Sequence, residues 1–251
     1  MRVPSDISAS YAATMAGDLS TAYRVLRDFT TLKKGDVIIQ NDPTSTIGIA
    51  VVQLAREMGV KTVNIISSTR PQGESILRLL TNLGGDINVT DAYVHSHGFN
   101  EMMAELPACT LALDGTGGDV VTHMSRCLAP GGSIVAYDGG SSKLPFVVPP
   151  EFMAAPKKLS LKQFSMSSWY NSKTPLDRAV MFAELATMIR SKKLTVFHEV
   201  HDFDDISYAL EKAMEPNALR KVVLNLNFPD RLADHDQLPA SAYSVFETTT
   251  V

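Results

Sequence analysis

Two cysteines in 251 residues, Cys109 and Cys127, are too few and too far apart for a disulfide framework or a CxxC metal knuckle. They fall in an expected strand and an expected helix and read as buried, reduced thiols, which suits an intracellular compartment. Metal-ligand spacings are also scarce. His95 and His97 have a His-x-His spacing, but no third ligand lies at a telling distance, so the segment reads as a polar loop with a solvated histidine pair and no metal is expected. No run of Lys and Arg forms a basic patch, and a net charge of −4 argues against a general nucleic-acid binder. No apolar run reaches the roughly 20 residues needed to cross a bilayer. The start, Met1-Arg2-Val3-Pro4-Ser5-Asp6, has no apolar core segment for a signal peptide and is too short and acidic for a transit peptide.

What is present is an alternation. Strand-like runs occur at 36–41, 61–66, 86–90, 109–114 and 132–138, and helix-like runs at 47–58, 73–83, 97–105 and 118–128. The strands are apolar on both faces, as in Leu111-Ala112-Leu113 and Ile134-Val135-Ala136, which marks a parallel sheet covered by helices on both sides. The expected fold class is α/β, a Rossmann-type doubly wound parallel sheet. Residues 1–30 read as a lead-in segment with a helix over 9–30. Residues 31–170 read as the sheet domain, ending in an alternating strand at 158–164. Residues 171–228 read as C-terminal helices and a strand: Thr174-Pro175-Leu176-Asp177 opens a helix to Arg190 with a capping-box pattern, a shorter helix runs from Phe203 to Met214, and Arg220–Leu226 closes the domain. Residues 192–226 are expected to pack irregularly beside the sheet, and 229–251 to form a flexible tail.

The stretch Asp36–Asn41, Asp42–Gly48, Ile49–Ala55 is the most informative. It reads as a buried strand, a tight turn of small residues and a helix, which is how a dinucleotide's pyrophosphate is held: small residues admit the phosphates and the helix start offers N–H groups. The usual trio of glycines is missing; only Gly48 sits where one is expected, and Thr46 fills another position. An ordinary strand-to-helix turn is the competing reading. The next strand ends in Ser67-Ser68-Thr69-Arg70, hydroxyls and an Arg with no acid, which favours a 2′-phosphate and therefore NADPH over NADH. Asp114-Gly115-Thr116-Gly117-Gly118 lacks the Lys-Ser/Thr of a phosphate loop and reads as a strand end passing near the nicotinamide ribose. Tyr208 and Lys212 match the Tyr-x-x-x-Lys pair of short-chain dehydrogenases, but they follow the completed sheet and read as chance spacing on an amphipathic helix.

The stretches Val3–Ile7, Thr21–Arg24, Val37–Asn41, Leu111–Asp114, Gly131–Tyr137, Phe164–Trp169 and Lys221–Leu224, in that order and spacing, resemble the medium-chain dehydrogenase/reductase superfamily. Within it they are similar to the mitochondrial trans-2-enoyl thioester reductases. The resemblance implies reduction of an enoyl-CoA or acyl-carrier thioester in fatty-acid synthesis, with hydride passing from NADPH to the β-carbon and a proton to the α-carbon. It implies zinc-independent chemistry, a homodimer, and a mitochondrial site of action (otherwise the cytoplasm). It also implies that the family's chaperonin-10-like catalytic domain, with its catalytic Tyr, has no counterpart here, so no catalytic residue is assigned and poor turnover by this chain alone is expected.

Carried over residue by residue, the resemblance implies cofactor contacts at Thr44, Ser45, Thr46, Ile47 and Gly48 in the turn, and at Ser67, Ser68, Thr69 and Arg70 around the 2′-phosphate. On the nicotinamide side it implies Tyr137, Gly139, Gly140, Phe164, Ser165 and Met166, with Lys221 near the cofactor. The family's paired arginines at the phosphate site are absent, and Asp18 replaces a family Asn, so weak dinucleotide binding is expected. Trp169 and Tyr170 read either as the lining of an acyl pocket or as core aromatics. A quinone-type oxidoreductase of the same superfamily, a non-catalytic nucleotide- or partner-binding homologue, and an incomplete reading frame remain alternatives.

Overall fold

A computed structural model describes residues 3–137, 154, 156–215 and 217–226. Six strands form one parallel sheet: β1 (Val37–Gln40), β2 (Lys61–Ile66), β3 (Ile87–Thr90), β4 (Cys109–Asp114), β5 (Leu128–Ala136) and β6 (Ser160–Gln163). Their spatial order is β3-β2-β1-β4-β5-β6. The chain therefore steps outward from β1 to β3, then crosses back to lay β4 on the other side of β1. That reversal opens a crevice at the carboxyl ends of β1 and β4.

Because successive strand residues face opposite sides of a sheet, the apolar runs feed two cores. Ile38, Leu111, Leu113 and Val135 face one side, against α1 (Ala9–Thr14), a π-helical turn (Met15–Leu19), α2 (Ser20–Val25), α3 (Thr46–Met58) and α9 (Pro175–Arg190). Val37, Ile39, Ala112 and Ile134 face the other, against α5 (Asp91–Val94), α6 (His97–Ala104) and α7 (Val120–Cys127). The remaining helices are α4 (Gly73–Leu83), α8 (Met166–Ser172) and α10 (Ile206–Met214). The capping box opens α9 as its sequence requires: Asp177 N–H donates to Thr174 Oγ1 at 3.2 Å, and Thr174 N–H to the Asp177 carboxylate at 3.0 Å.

Three expectations need correction. The lead-in helix stops at Val25 instead of residue 30, where the Arg27 and Asp28 N–H groups both turn back to the Arg24 carbonyl. The segment 192–226 is not irregular. β7 (His198–Asp202) and β8 (Lys221–Asn225) pair in parallel around α10, and Phe197 and Leu219 anchor the unit in a third apolar cluster with Ile49, Val52, Ile76 and Leu80 of α3 and α4. Only His95 and Ser96 form the expected polar turn, between α5 and α6, while His97 is the first residue of α6. The His95 ring meets His123 edge-on at 4.2 Å, while His97 pairs with Glu101. Gly139, Gly140 and the tail 229–251 lie outside the described residues.

Candidate functional site

The site begins where β1 runs into α3. The first N–H groups of a helix have no intrahelical partner, and Ser45 caps this one, its Oγ accepting from Gly48 N–H at 3.0 Å and donating to the Asp42 carbonyl at 3.1 Å. The turn is so tight that a Cβ on Gly48 would lie 1.8 Å from the Asp42 carbonyl oxygen. Here glycine is demanded by close approach of backbone to backbone, not by an unusual φ. Beneath the turn the Gln40 amide donates to Asn64 Oδ1 at 2.7 Å, and Asn64 Nδ2 donates to Thr62 and Asn88. This chain of amides ties β1, β2 and β3 together under the crevice.

A second clasp joins β1 to β4. Asn41 Nδ2 donates to buried Asp114 Oδ1 at 2.7 Å, and Asn41 Oδ1 accepts from Gly115 N–H at 2.8 Å. Asp114 Oδ1 also receives the N–H groups of Thr116 and Gly117 at 3.2 and 2.6 Å. The clasp holds the loop over residues 115–118 at the mouth of the crevice, with Gly115 wedged against Asp42 and the Tyr137 hydroxyl.

At the end of β2, Ser67 and Thr69 bond to each other at 2.9 Å, and Ser68 N–H donates to Asp91 Oδ1 at 2.8 Å. An acid is therefore present at this corner after all, supplied from the end of β3 and not from β2. Burial works to raise the Asp91 carboxyl, but bonds from Ser68 and the Ala92 N–H, with the nearby charge of His95, bring it below the ordinary carboxylate range. Arg70 reaches the opposite wall, donating to Asn217 Oδ1 at 3.0 Å and to the Asn217 carbonyl at 2.6 Å. Burial lowers its pKa, and the Asp42 charge works against that shift.

These walls enclose a cleft of about 950 Å³. Thr44, Ser45, Thr46, Ser67, Ser68 and Arg70 line it, as do Asn41, Thr116 and Gly117, and Ala213, Glu215, Asn217, Ala218 and Arg220 provide the far wall. Ile47 and Gly48 are buried directly beneath the turn, and Thr69 is exposed beside it. Four carboxylates line the cleft (Asp42, Asp91, Asp119, Glu215) against two guanidiniums, Arg70 and Arg220. Both cations are engaged, Arg70 by Asn217 and Arg220 by Glu199 and Glu215.

The remaining sequence-chosen residues lie elsewhere. Tyr137 is buried behind the β4 loop, its N–H bonded to the Asp114 carbonyl at 3.0 Å. Phe164 packs edge-on against Phe29, Ser165 caps α8, and Met166 leans on the core. Trp169 is a core residue, stacked under Arg24 at 4.6 Å and edge-on to Tyr170, whose hydroxyl donates to the Ala16 carbonyl. Lys221 pairs with Asp18 at 3.1 Å. Tyr208 and Lys212 sit on α10 outside the cleft lining, and Lys212 bonds Glu215 at 2.6 Å. Sequence reasoning missed Asp42, Asp91, Asp119, Asn217 and Arg220. A search for polar residues following every strand's carboxyl end would have found Asp91 and Asp119.

No family model matches the chain. Among curated proteins it is 36% identical over 225 residues to the mitochondrial enoyl-[acyl-carrier-protein] reductase of Dictyostelium discoideum, covering 90% of this chain and 63% of that protein. It is 36% identical over 228 residues to that of Xenopus tropicalis (89% and 64%), and 33% identical over 228 residues to the human protein (90% and 60%). The chain thus spans somewhat less than two thirds of the length of these relatives. Among solved structures it superposes on a mutant form of enoyl thioester reductase from Candida tropicalis with a TM-score of 0.78 at 21% identity, covering 89% of this chain and 63% of that one. A putative NADPH:quinone reductase from Bacillus thuringiensis superposes with a TM-score of 0.76 at 17% identity (90% and 67%).

Proposed function

We propose that this chain, 33–36% identical to mitochondrial enoyl-[acyl-carrier-protein] reductases and resembling the medium-chain dehydrogenase/reductase superfamily, binds a nicotinamide dinucleotide in its cleft, NADPH ahead of NADH, for reduction of a trans-2-enoyl thioester. One observation carries the reading. Six residues chosen from sequence as cofactor contacts converge on a single cleft at the point where the strand order reverses, the place where open α/β sheets take ligands.

The parts fit the dinucleotide unevenly. The turn over 44–48 fits a pyrophosphate: its residues are small, Gly48 lets the helix start close tightly on the Asp42 backbone, and the cap and first residue of α3, Ser45 and Thr46, line the cleft. The loop at 115–118 borders the ribose and nicotinamide half. Ser67, Ser68 and Arg70 face the adenosine ribose, but Arg70 is committed to Asn217, so binding is weak and the NADPH preference small. When bound, the nicotinamide supplies a hydride. The residues of this chain bind it, orient it and exclude water from one of its faces.

The acyl substrate and the mitochondrial setting follow from kinship, as the curated relatives are named for both. A homodimer through β6 suits the edge position of that strand and its exposed Leu161, Lys162 and Gln163. Titration of NADPH and NADH by nicotinamide fluorescence tests the reading. Both should bind, NADPH more tightly, and Arg70→Glu should erase that preference. Tighter NADH binding, or indifference of NADPH to Arg70→Glu, contradicts it.

A further inference from the structure

Several donors facing the adenosine ribose are already engaged inside the protein. Ser68 N–H, the backbone donor best placed for an incoming anion, is taken by Asp91 Oδ1 at 2.8 Å. The Ser67 and Thr69 hydroxyls bond each other, and Arg70 is bonded to Asn217. Asp91 is not a stray surface acid. The parallel register pairs Ile66 with Thr90, so the residues just past both strands are neighbours, and Thr90 caps the short helix that Asp91 begins. Both Asp91 and Ser68 line the cleft.

We propose that Asp91 is the specificity-determining residue of the ribose corner: it occupies the place of a 2′-phosphate oxygen and so limits discrimination in favour of the phosphorylated dinucleotide. The inference rests on the dinucleotide reading above. A 2′-phosphate arriving at Ser68 meets a fixed carboxylate of like charge. The 2′-hydroxyl of an unphosphorylated dinucleotide meets an acceptor to which it donates. His95, beside Asp91 and exposed, offers only partial compensation, as its ring is turned against His123. The arrangement predicts only a small NADPH preference at a site that carries the hydroxyls and Arg suited to a 2′-phosphate.

Asp91→Asn tests this with little change of shape, because Asn Oδ1 still accepts from Ser68 N–H while the charge is gone. Dissociation constants for NADPH and NADH are measured on wild type, Asp91→Asn and Asp91→Glu at one ionic strength. The ratio of NADPH to NADH affinity should rise on the order of tenfold in Asp91→Asn and stay near the wild-type value in Asp91→Glu, which keeps the charge. An unchanged ratio in Asp91→Asn, with both dinucleotides still bound, overturns the role of Asp91 and leaves the dinucleotide reading standing. An equal rise in Asp91→Glu also overturns it, since repacking would then be the cause. Binding of neither dinucleotide by any of the three proteins overturns both.

Discussion

Lys221 on β8 reaches Asp18 in the π-helical turn, Nζ to Oδ2 at 3.1 Å, with Asp18 well shielded and Lys221 half exposed. These are the two positions where family resemblance expects a cofactor-facing lysine and an asparagine. With an acid in place of the asparagine, the lysine's charge is paired with a carboxylate.

Asp18→Asn should therefore release Lys221 and tighten NADPH binding by about two- to fivefold, the scale of a partly exposed ion pair. The double variant Asp18→Asn/Lys221→Met should return affinity to the wild-type level. Calorimetric titration of the three proteins checks both statements.

Gly48→Ala should be severely destabilising. Its Cβ would lie 1.8 Å from a backbone carbonyl oxygen, so the turn or α3 must move. Overpacking costs about 1–3 kcal/mol, occasionally more, and a backbone-on-backbone collision belongs at or above the upper end. Gly17→Ala is the control: nothing lies within 4 Å of its added Cβ. Urea midpoints should fall sharply for the first and little for the second.

The two thiols should resist alkylation in the native state. Burial pushes Cys109 up to about 12 and Cys127 up to about 11, so the reactive thiolate is scarce at neutral pH. Iodoacetamide at about pH 8 should label both only after unfolding, as read by intact mass. Rapid labelling of the folded chain would contradict this packing.

Stability should fall on mild acidification. Burial, then the charges of His95 and Arg126, hold His123 below its ordinary value of 6.5. As pH drops, the unfolded chain takes up the proton first. The contribution is therefore complete above about pH 6.5 and is lost as pH falls toward the folded-state pKa. His123→Gln should show a smaller drop in urea midpoint than wild type between about pH 7.5 and 5.5.

What the sequence discloses is what local chemistry writes into it. The β1 turn is legible because strand, small-residue turn and helix are contiguous, and the capping box of Thr174 and Asp177 lies within four residues. β7 is hidden: His198-Glu199-Val200-His201-Asp202 holds a single apolar residue, and its strand character comes from pairing with β8 more than 20 residues on. Asp91 is hidden for a related reason. A ribose-binding acid is expected at the end of β2, but here the acid arrives from the neighbouring strand, brought there by the Ile66–Thr90 register. Local sequence shows Arg70 without its competitor, because Asn217 is 147 residues distant in sequence.

The position of a bound dinucleotide is the most direct test. A crystal structure of the chain soaked with NADPH should place the pyrophosphate over Thr44–Gly48, the 2′-phosphate at Ser67 and Ser68, and the nicotinamide beside residues 115–118. Clear density for the nucleotide at any other surface, or none in crystals grown at millimolar NADPH with the cleft open to solvent, would contradict it.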